Sequence, residues 1–262
     1  MPEDMLRFTI SGGAAGLAVD VGLYPLDTIE TRLQAAEGFM AAGGFRHLYR
    51  GLGSIALGAV PSYALFFCTY EKLKEVTGSK GAVGEALCAT AGELISLLVV
   101  NPVEIIKQRA QAGRAHTLSA ITKDIWAKHG LHGFYRGYFS LAAITVPFTF
   151  IQIPVWEALK REIQIVTKKD KCTPLESALS GMCGGCLASI FTMPMDVAKT
   201  RIMLSDSDMT LGQTMIQIRK NEGFSKLFAG VLPRTVYVAV GGFVFFTAYE
   251  YTLEFSKEWF TS

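Results

Sequence analysis

A short charged motif occurs three times in the chain, and this repetition constrains the fold more than any other feature of the sequence. Each copy has a proline, an acid two residues later, and a charged residue three positions after the acid. A glycine–aromatic–glycine motif follows each copy, and an aromatic–acid pair closes each unit. Three motifs in the same order, three times over, indicate three equivalent units. The segments are 25–32, 102–109 and 194–201, then 44–51, 130–137 and 223–230, then 70–74, 156–160 and 249–253.

Long uncharged stretches flank the first motif of each unit and predict membrane spans. Half of the residues are hydrophobic and 18% are charged, against about 25% charged residues in soluble domains. A helix needs about 20 apolar residues to cross the hydrocarbon core of a bilayer. Six stretches approach that length. They are 52–70, 137–156 and 177–195 without a charge, 8–26 with Asp20, 86–103 with Glu93, and the shorter 235–249.

Each unit therefore has the order span, polar segment, span. The polar segments 117–129 and 210–221 carry apolar residues at helical spacing and predict short amphipathic helices. The sequence thus predicts an all-α membrane protein with six transmembrane helices in three helix–short helix–helix repeats. The repeats are assigned to 1–80, 81–169 and 170–262 within a single integral membrane domain.

Two groups of charges recur with the repeats. The proline of the first motif falls within a span, where it removes a backbone hydrogen bond and kinks the helix. Three kinked helices around a threefold axis would converge, so that their charges meet there as ion pairs. Two charged layers around one cavity are the geometry of alternating access. The inner ring comprises Asp27, Glu30, Glu104, Lys107, Asp196 and Lys199, and the outer set comprises Glu71, Lys74, Glu157, Lys160 and Glu250.

The sequence lacks the patterns of an enzyme, a metal site or a nucleic-acid-binding protein. Its four histidines fall at no metal-ligand spacing, and neither a nucleophile–base set nor a phosphate-binding loop occurs. Cys183 and Cys186 have redox-motif spacing, but without a second ligand pair they are interpreted as small apolar residues of a span. The formal charge of +2 provides no basic footprint for nucleic acid. We therefore expect no catalytic residue, no metal and no cofactor.

The repeated motif P-x-[DE]-x-x-[KR]-x-[KR] followed by G-x4-[YWF]-[KR]-G resembles the signature of the mitochondrial carrier family, over essentially the whole chain. The resemblance implies a six-helix bundle with threefold pseudo-symmetry. It implies a monomer that passes several times through the mitochondrial inner membrane, with the lipid bilayer and cardiolipin as lipid partners. The inner ring would then be a matrix gate and the outer set a cytoplasmic gate.

The resemblance also implies which charges of the inner ring pair. Each acid meets the base of the next repeat, and a glutamine braces the pair. Glu30 departs from this pattern because it stands where the motif has a base, opposite Asp196. With four acids and two bases, the ring is expected to close poorly unless one acid takes up a proton. The expected pairs are Asp27–Lys107 and Glu104–Lys199, the expected braces are Gln34 and Gln111, and Met203 stands in the third brace position.

Two acids lie within spans, where an ionisable side chain is a functional candidate by default. Asp20 precedes Asp27 by seven residues and Glu93 precedes Glu104 by eleven, which is close to two and three helical turns. Each acid therefore shares a face with the inner ring, and an acidic cavity favours a cationic solute. Gln152 is a further polar candidate. The alternative for Glu93 is a hydrogen bond within a helix interface.

Several segments are similar to those of the S-adenosylmethionine carriers within that family. The similarity implies exchange of S-adenosylmethionine for S-adenosylhomocysteine. The sulfonium and ammonium groups of S-adenosylmethionine are cations that suit Asp20 and Glu93. The similar segments are 19–20, 24–29, 91–93, 107–111, 147–157, 196–202, 228–234 and 241–243.

Ile144 and Thr145 depart from that similarity, because those carriers usually have an arginine and a glutamate at this central solute contact. An apolar side chain and a hydroxyl group do not replace two charges. Two alternatives therefore stay open. One is a carrier of another cationic metabolite, such as a basic amino acid or a cofactor. The other is an impaired carrier or a leaky conductance through the ring at Glu30.

Overall fold

The computed structural model describes residues 16–78, 82–113, 117–168, 172–206, 209–242 and 244. Every regular element within these residues is helical. Residues 16–22 are helical and a bend at Leu23 separates them from α1. The α-helices are α1 (Tyr24–Gln34), α2 (Leu52–Thr77), α3 (Ala82–Gln111), α4 (Leu118–His129), α5 (Tyr138–Thr167), α6 (Pro174–Leu204), α7 (Leu211–Asn221) and α8 (residues 231–242), with 3-10 turns at Gly130–Tyr135 and Phe224–Phe228.

The long helices have the dimensions of membrane spans. Helix α2 has 26 residues and α3, α5 and α6 have 30, 30 and 31, which gives about 39–47 Å at 1.5 Å per residue. The segments Leu87–Gln111, Leu118–Thr167 and Leu175–Leu204 are long and apolar enough to cross a membrane. They contain three of the expected spans, and α2 contains the span 52–70. The expected first and sixth spans extend beyond the described residues.

The signature prolines distort the first helix of each repeat. Pro102 and Pro194 lie inside α3 and α6, as expected for mid-helix kinks. Pro25 instead lies in the first turn of α1, directly after the bend at Leu23. In the first repeat the proline therefore begins a new helical segment, a position where its missing N–H is tolerated.

The two expected amphipathic helices are confirmed as α4 and α7. Thr117 caps α4 by accepting a hydrogen bond from the Ala120 N–H at 3.2 Å. Thr210 and Gln213 form a reciprocal capping box at the start of α7. The buried face of α4 packs against α3 and Met203, and that of α7 packs against α6. These short helices therefore lie along the ends of the long helices that carry the inner ring.

Three signature glycines lie where each repeat contacts the next one. Gly51, Gly137 and Gly230 have φ angles of 95°, 80° and 85° and directly precede α2, α5 and α8, a left-handed conformation that favours glycine. An added Cβ would lie 3.2 Å from the Lys107 carbonyl oxygen, 3.1 Å from Met203 Cγ and 3.2 Å from Glu30 Cγ, respectively. Because each glycine lacks a Cβ, the second helix of one repeat can pack closely against the first helix of the next repeat.

Candidate functional site

The first link of the inner ring joins repeats 1 and 2. Lys107 Nζ lies 3.3 Å from Asp27 Oδ2 and 2.9 Å from Glu104 Oε2. The Gln111 side-chain amide donates a hydrogen bond to Asp27 Oδ2 at 2.5 Å. Lys107 is buried, so two carboxylates replace the water that its ammonium group loses. The ion pair and the glutamine contact expected here are both present.

The second link joins repeats 2 and 3. Lys199 Nζ lies 3.8 Å from Glu104 Oε1 and 3.2 Å from Asp196 Oδ1. The Gln108 amide donates to Glu104 Oε1 at 2.8 Å. Met203, in the third brace position, packs into the buried apolar cluster between α3 and α4. The expected ion pair is present, and a glutamine from Glu104's own helix supports it.

The third link brings two acids together and contains a cation that the sequence reasoning did not include. The Gln34 amide nitrogen donates to Glu30 Oε1 at 3.1 Å and to Asp196 Oδ2 at 3.0 Å. Arg234 Nη1 from α8 lies 3.8 Å from Glu30 Oε1. The count of two bases is therefore wrong, because Arg234 is a third cation in the ring. All three links are made within the described residues, and how readily the ring closes stays a prediction.

Arg234 was missed because it lies outside the repeated charged motif. The pairing rule compares equivalent positions in the three repeats, and it assigns Glu30 no cationic partner. The available signal was a single base directly before the sixth apolar stretch, four residues after Gly230. A base in such a position is expected to face the protein interior.

An arginine ring lies beside the inner ring. The last arginine of each first motif donates through Nε to a main-chain carbonyl at the end of the next repeat's first helix. Backbone acceptors have no sequence signature, so the pattern of motifs did not reveal these contacts. The donors and acceptors are Arg32 to Gln111 at 2.8 Å, Arg109 to Met203 at 3.1 Å, and Arg201 to Gln34.

The remaining guanidinium nitrogens of Arg32 and Arg201 bind main-chain carbonyl oxygens and a carboxylate, respectively. Arg32 Nη1 donates to the carbonyl oxygens of Gly44 and Arg46 at 2.5 and 2.7 Å. Arg201 binds both carboxylate oxygens of Glu222, at 2.6 and 2.9 Å. Hydrogen bonds from Arg201 hold the pKa of Glu222 below its usual value. These contacts fix the loops that follow each helix to the bundle.

Asp206 joins the arginine ring to the second repeat. Its Oδ1 lies 3.0 Å from Arg109 Nη2 and 3.3 Å from His129 Nε2, and its Oδ2 lies 3.6 Å from Lys128 Nζ. Its carbonyl oxygen accepts a hydrogen bond from Arg136 at 2.6 Å. Partial burial raises the pKa of Asp206, but the charge of Arg109 and the hydrogen bonds from His129 and Arg109 outweigh it and leave the pKa lowered.

We expect Asp206→Asn to lower the thermal unfolding midpoint at neutral pH and to reduce its sensitivity to acid. A carboxylate with a lowered pKa stabilises the fold above its ordinary pKa of about 3.9, and this stabilisation is lost as the pH falls through the folded-state pKa. Midpoints of the detergent-solubilised protein between pH 7 and pH 3 test this. Glu75→Gln, at an exposed acid of α2, is the control. If the midpoint of Asp206→Asn differed from that of the unmodified protein by the same amount at pH 7 and at pH 3, this would contradict the lowered pKa of Asp206.

Asp20 lies seven residues before Asp27, on the other side of the bend at Leu23, and is hydrogen-bonded to a phenol group. Tyr237 Oη of α8 donates a hydrogen bond to Asp20 Oδ1 at 3.2 Å. Tyr63 of α2 and Lys107 of α3 lie within electrostatic range of the same carboxylate. The structure thus brings Asp20 into the interior, close to the inner ring, and adds two tyrosines that sequence reasoning missed.

The other expected solute contacts lie on α3 and α5. The side chain of Glu93 is exposed. Gln152 lies in the α5–α6 interface, where an added Cβ at Gly185 would be 3.4 Å from its Nε2. Ile144 is buried, and the Thr145 hydroxyl donates to the Leu141 carbonyl oxygen at 3.2 Å. These two residues therefore add no charge to the interior, and the Thr145 hydroxyl is satisfied within its own helix.

The outer set forms contacts within single helices. Glu71 is exposed on α2, and Glu250 lies outside the described residues. The remaining contacts are Glu157 Oε2 with Arg161 Nη2 at 3.7 Å, Lys74 Nζ with the Tyr70 ring at 5.6 Å, and Lys160 Nζ with the Trp156 ring at 4.3 Å. These three contacts connect neighbours on one helix, whereas the inner ring connects three repeats.

Comparison with known proteins gives one family and a consistent group of relatives. The family model described as "Mitochondrial carrier protein" matches residues 2–81, 78–166 and 170–258. The "Mitochondrial S-adenosylmethionine carrier protein" of Mus musculus is 40% identical over 251 residues, covering 92% of this chain and 91% of the relative. The protein of the same name from Danio rerio is 38% identical and covers 94% and 97%. The "S-adenosylmethionine mitochondrial carrier protein homolog" of Drosophila melanogaster is 39% identical and covers 96% and 94%.

Proposed function

Since the chain belongs to the mitochondrial carrier family and sits in the mitochondrial inner membrane, we propose that it exchanges S-adenosylmethionine for S-adenosylhomocysteine by alternating access. The observation that carries the proposal is the position of Asp20, an interior carboxylate beside Tyr237 and close to a joined inner ring. The names of relatives about 40% identical over most of the chain support the choice of solute.

The chemistry of the solute suits this interior. S-adenosylmethionine carries a sulfonium and an ammonium group, and Asp20 provides a carboxylate for one of them. A cation near the face of an aromatic ring gains further attraction, which Tyr63 and Tyr237 are placed to supply. S-adenosylhomocysteine lacks the sulfonium charge but shares the adenosine and amino acid groups. One site that binds both in turn is sufficient for an exchanger.

The inner ring acts as the matrix gate in this proposal. With the ring joined, the path towards the matrix is closed at the ends of α1, α3 and α6. Binding of the solute near Asp20 would favour the opposite arrangement, in which the inner ring separates and the outer set joins.

Ile144 and Thr145 favour a second candidate, a carrier of another cationic metabolite such as a basic amino acid. The buried Ile144 and the internally bonded Thr145 offer no charge for the polar groups of a larger solute. A basic amino acid lacks the adenosine group, so it needs fewer polar contacts than S-adenosylmethionine, and Asp20 can bind one of its two cationic groups. The leaky-conductance alternative is less well supported, because Arg234 and Gln34 join the third link at Glu30.

Uptake of labelled S-adenosylmethionine into proteoliposomes tests the proposal. We expect uptake that requires internal S-adenosylhomocysteine, and an approximately tenfold or greater loss in Asp20→Asn. A hydrogen bond to a charged group contributes about 1.5–3 kcal/mol, and 1.4 kcal/mol corresponds to about a tenfold change. Asp124→Asn, at an exposed acid of α4, is the matched control and should retain uptake.

Two results would overturn the solute assignment. Uptake by Asp20→Asn equal to that of the unmodified protein would remove Asp20 from the site. Uptake of labelled lysine or arginine, without uptake of S-adenosylmethionine, would replace the proposed solute by the second candidate.

A further inference from the structure

We propose that Glu30 and Asp196 form a proton-binding site: one proton is held between their carboxyl groups when the inner ring is joined, and it is released when the ring opens. The proposal concerns the ring itself and does not depend on which solute crosses. It follows from the geometry of the third link and from the charges around that link. It also follows from the fact that Glu30 and Asp196 are on different helices, which move apart when the ring opens.

The two carboxyl groups are buried side by side. Glu30 is 5% exposed and Asp196 is 4% exposed, and one oxygen of each group accepts a hydrogen bond from the same nitrogen atom, Gln34 Nε2. A carboxylate only accepts hydrogen bonds, whereas a protonated carboxyl group also donates one. A hydrogen bond between the two groups therefore requires a proton on one of them. The Gln34 amide nitrogen, which donates to both at 3.1 and 3.0 Å, holds the groups together.

The seven ionisable residues of the ring comprise four acids and three bases, and Asp20 is a further acid within electrostatic range of Lys107. The seven ring residues come from α1, α3, α6 and α8. The acids are Asp27 and Glu30 of α1, Glu104 of α3 and Asp196 of α6, and the bases are Lys107 of α3, Lys199 of α6 and Arg234 of α8. A buried charge without a partner is strongly unfavourable, so one proton on the fourth acid restores neutrality among the seven.

The neighbouring cations do not substitute for that proton. Lys199 is shared between Asp196 at 3.2 Å and Glu104 at 3.8 Å. Arg234 lies 3.8 Å from Glu30, which is longer than the 2.7–2.9 Å of a charge-assisted hydrogen bond. Neither distance places a cation directly between Glu30 and Asp196. The short contacts across this link come from the Gln34 amide, which reaches both carboxyl groups.

Opening of the ring would release the proton. Glu30 is on α1 and Asp196 is on α6, so separation of these helices separates the two carboxyl groups. Each group would then meet water, and a glutamate or aspartate in water is ionised at neutral pH. The proton leaves to water as both groups become carboxylates. A higher pH at the ring therefore favours its opening, and a lower pH favours the joined state.

The infrared spectrum of the purified protein tests for the proton directly. A protonated carboxyl group has a C=O stretching band that carboxylates lack. At neutral pH we expect this band in the unmodified protein, its loss in Glu30→Gln, and its retention in the control Glu75→Gln, which changes an exposed acid of α2. A spectrum of Glu30→Gln that keeps the whole band would overturn the proposal.

The pH dependence of the thermal midpoint provides a second test that needs no solute. If the folded state holds a proton that the unfolded chain releases, stability falls as pH rises above the ordinary glutamate pKa of about 4.3. From pH 6 to 8.5 the midpoint of the unmodified protein should fall more steeply than those of Glu30→Gln and Glu30→Lys. Parallel profiles for all three proteins would contradict the inference.

The two proposals fail in different ways. Absence of S-adenosylmethionine uptake, with the infrared band and the pH profiles as expected, would refute the proposed solute and support the proton site. Uptake as expected, without the band in the unmodified protein, would support the solute and refute the proton site.

Discussion

Lys107→Met is expected to lower the free energy of unfolding by about 3–5 kcal/mol, the range found when one partner of a buried ion pair is removed. Lys107 Nζ is held by Asp27 Oδ2 at 3.3 Å and Glu104 Oε2 at 2.9 Å. Methionine keeps much of the length of the side chain but removes the cation that the partly buried carboxylates of Asp27 and Glu104 share. Thermal or denaturant unfolding of the detergent-solubilised protein measures the loss.

Lys72→Met is the matched control for this substitution. Its Nζ lies 3.3 Å from Glu75 Oε2, with side chains 78% and 72% exposed. Exposed pairs of this kind contribute about 0–1 kcal/mol, so the control should unfold close to the unmodified protein. An equal loss in both variants would mean that burial of the inner ring does not contribute to its stability.

Arg32→Met is expected to lower the free energy of unfolding by at least about 3 kcal/mol, because it leaves several buried acceptors without a donor. The Arg32 guanidinium group donates to the carbonyl oxygens of Gln111, Gly44 and Arg46 at 2.8, 2.5 and 2.7 Å. A buried polar group without a partner costs about 1–3 kcal/mol. The same unfolding measurements apply.

Two further variants separate the charge of Arg32 from its geometry. Arg32→Lys keeps the charge but lacks the planar set of five donors, so it should recover only part of the loss. Arg161→Met removes an arginine whose side chain is 76% exposed and which lies 3.7 Å from Glu157, and it should have little effect. Full recovery in Arg32→Lys would show that the hydrogen-bonding fork is not required.

The sequence was sufficient to predict the features that depend on repetition and periodicity. Helices α4 and α7 follow from apolar residues at helical spacing behind a threonine cap. The pairing of Lys107 with Asp27 was implied by the resemblance to the mitochondrial carrier family, and the structure contains that contact. The match of the family model to three segments supports the same repetition. Periodic patterns identify which faces meet, and for these elements that was enough.

Features that the pattern of charged motifs does not encode could not be predicted in this way. Arg234 reaches Glu30 from a position outside the motifs. Tyr237 reaches Asp20 from a separate repeat, and its phenol has no counterpart in the pattern of charges. The arginine ring uses main-chain acceptors, whose positions follow from helix ends rather than from residue types. The gate and solute roles of the expected site residues stay predictions, and Glu250 lies outside the described residues.

The arginine ring has a consequence for biosynthesis. Its last contact joins Arg201 to the Gln34 carbonyl, across 167 positions of the chain. Contacts between such distant residues form late, because the intervening chain must first be ordered. A nascent chain that ends after the second repeat has Arg32 bound to Gln111, but it offers neither the acceptor for Arg109 nor the donor for Gln34. Translation must therefore proceed through α8, which contributes Arg234 and Tyr237, before the first repeat acquires all of its neighbours.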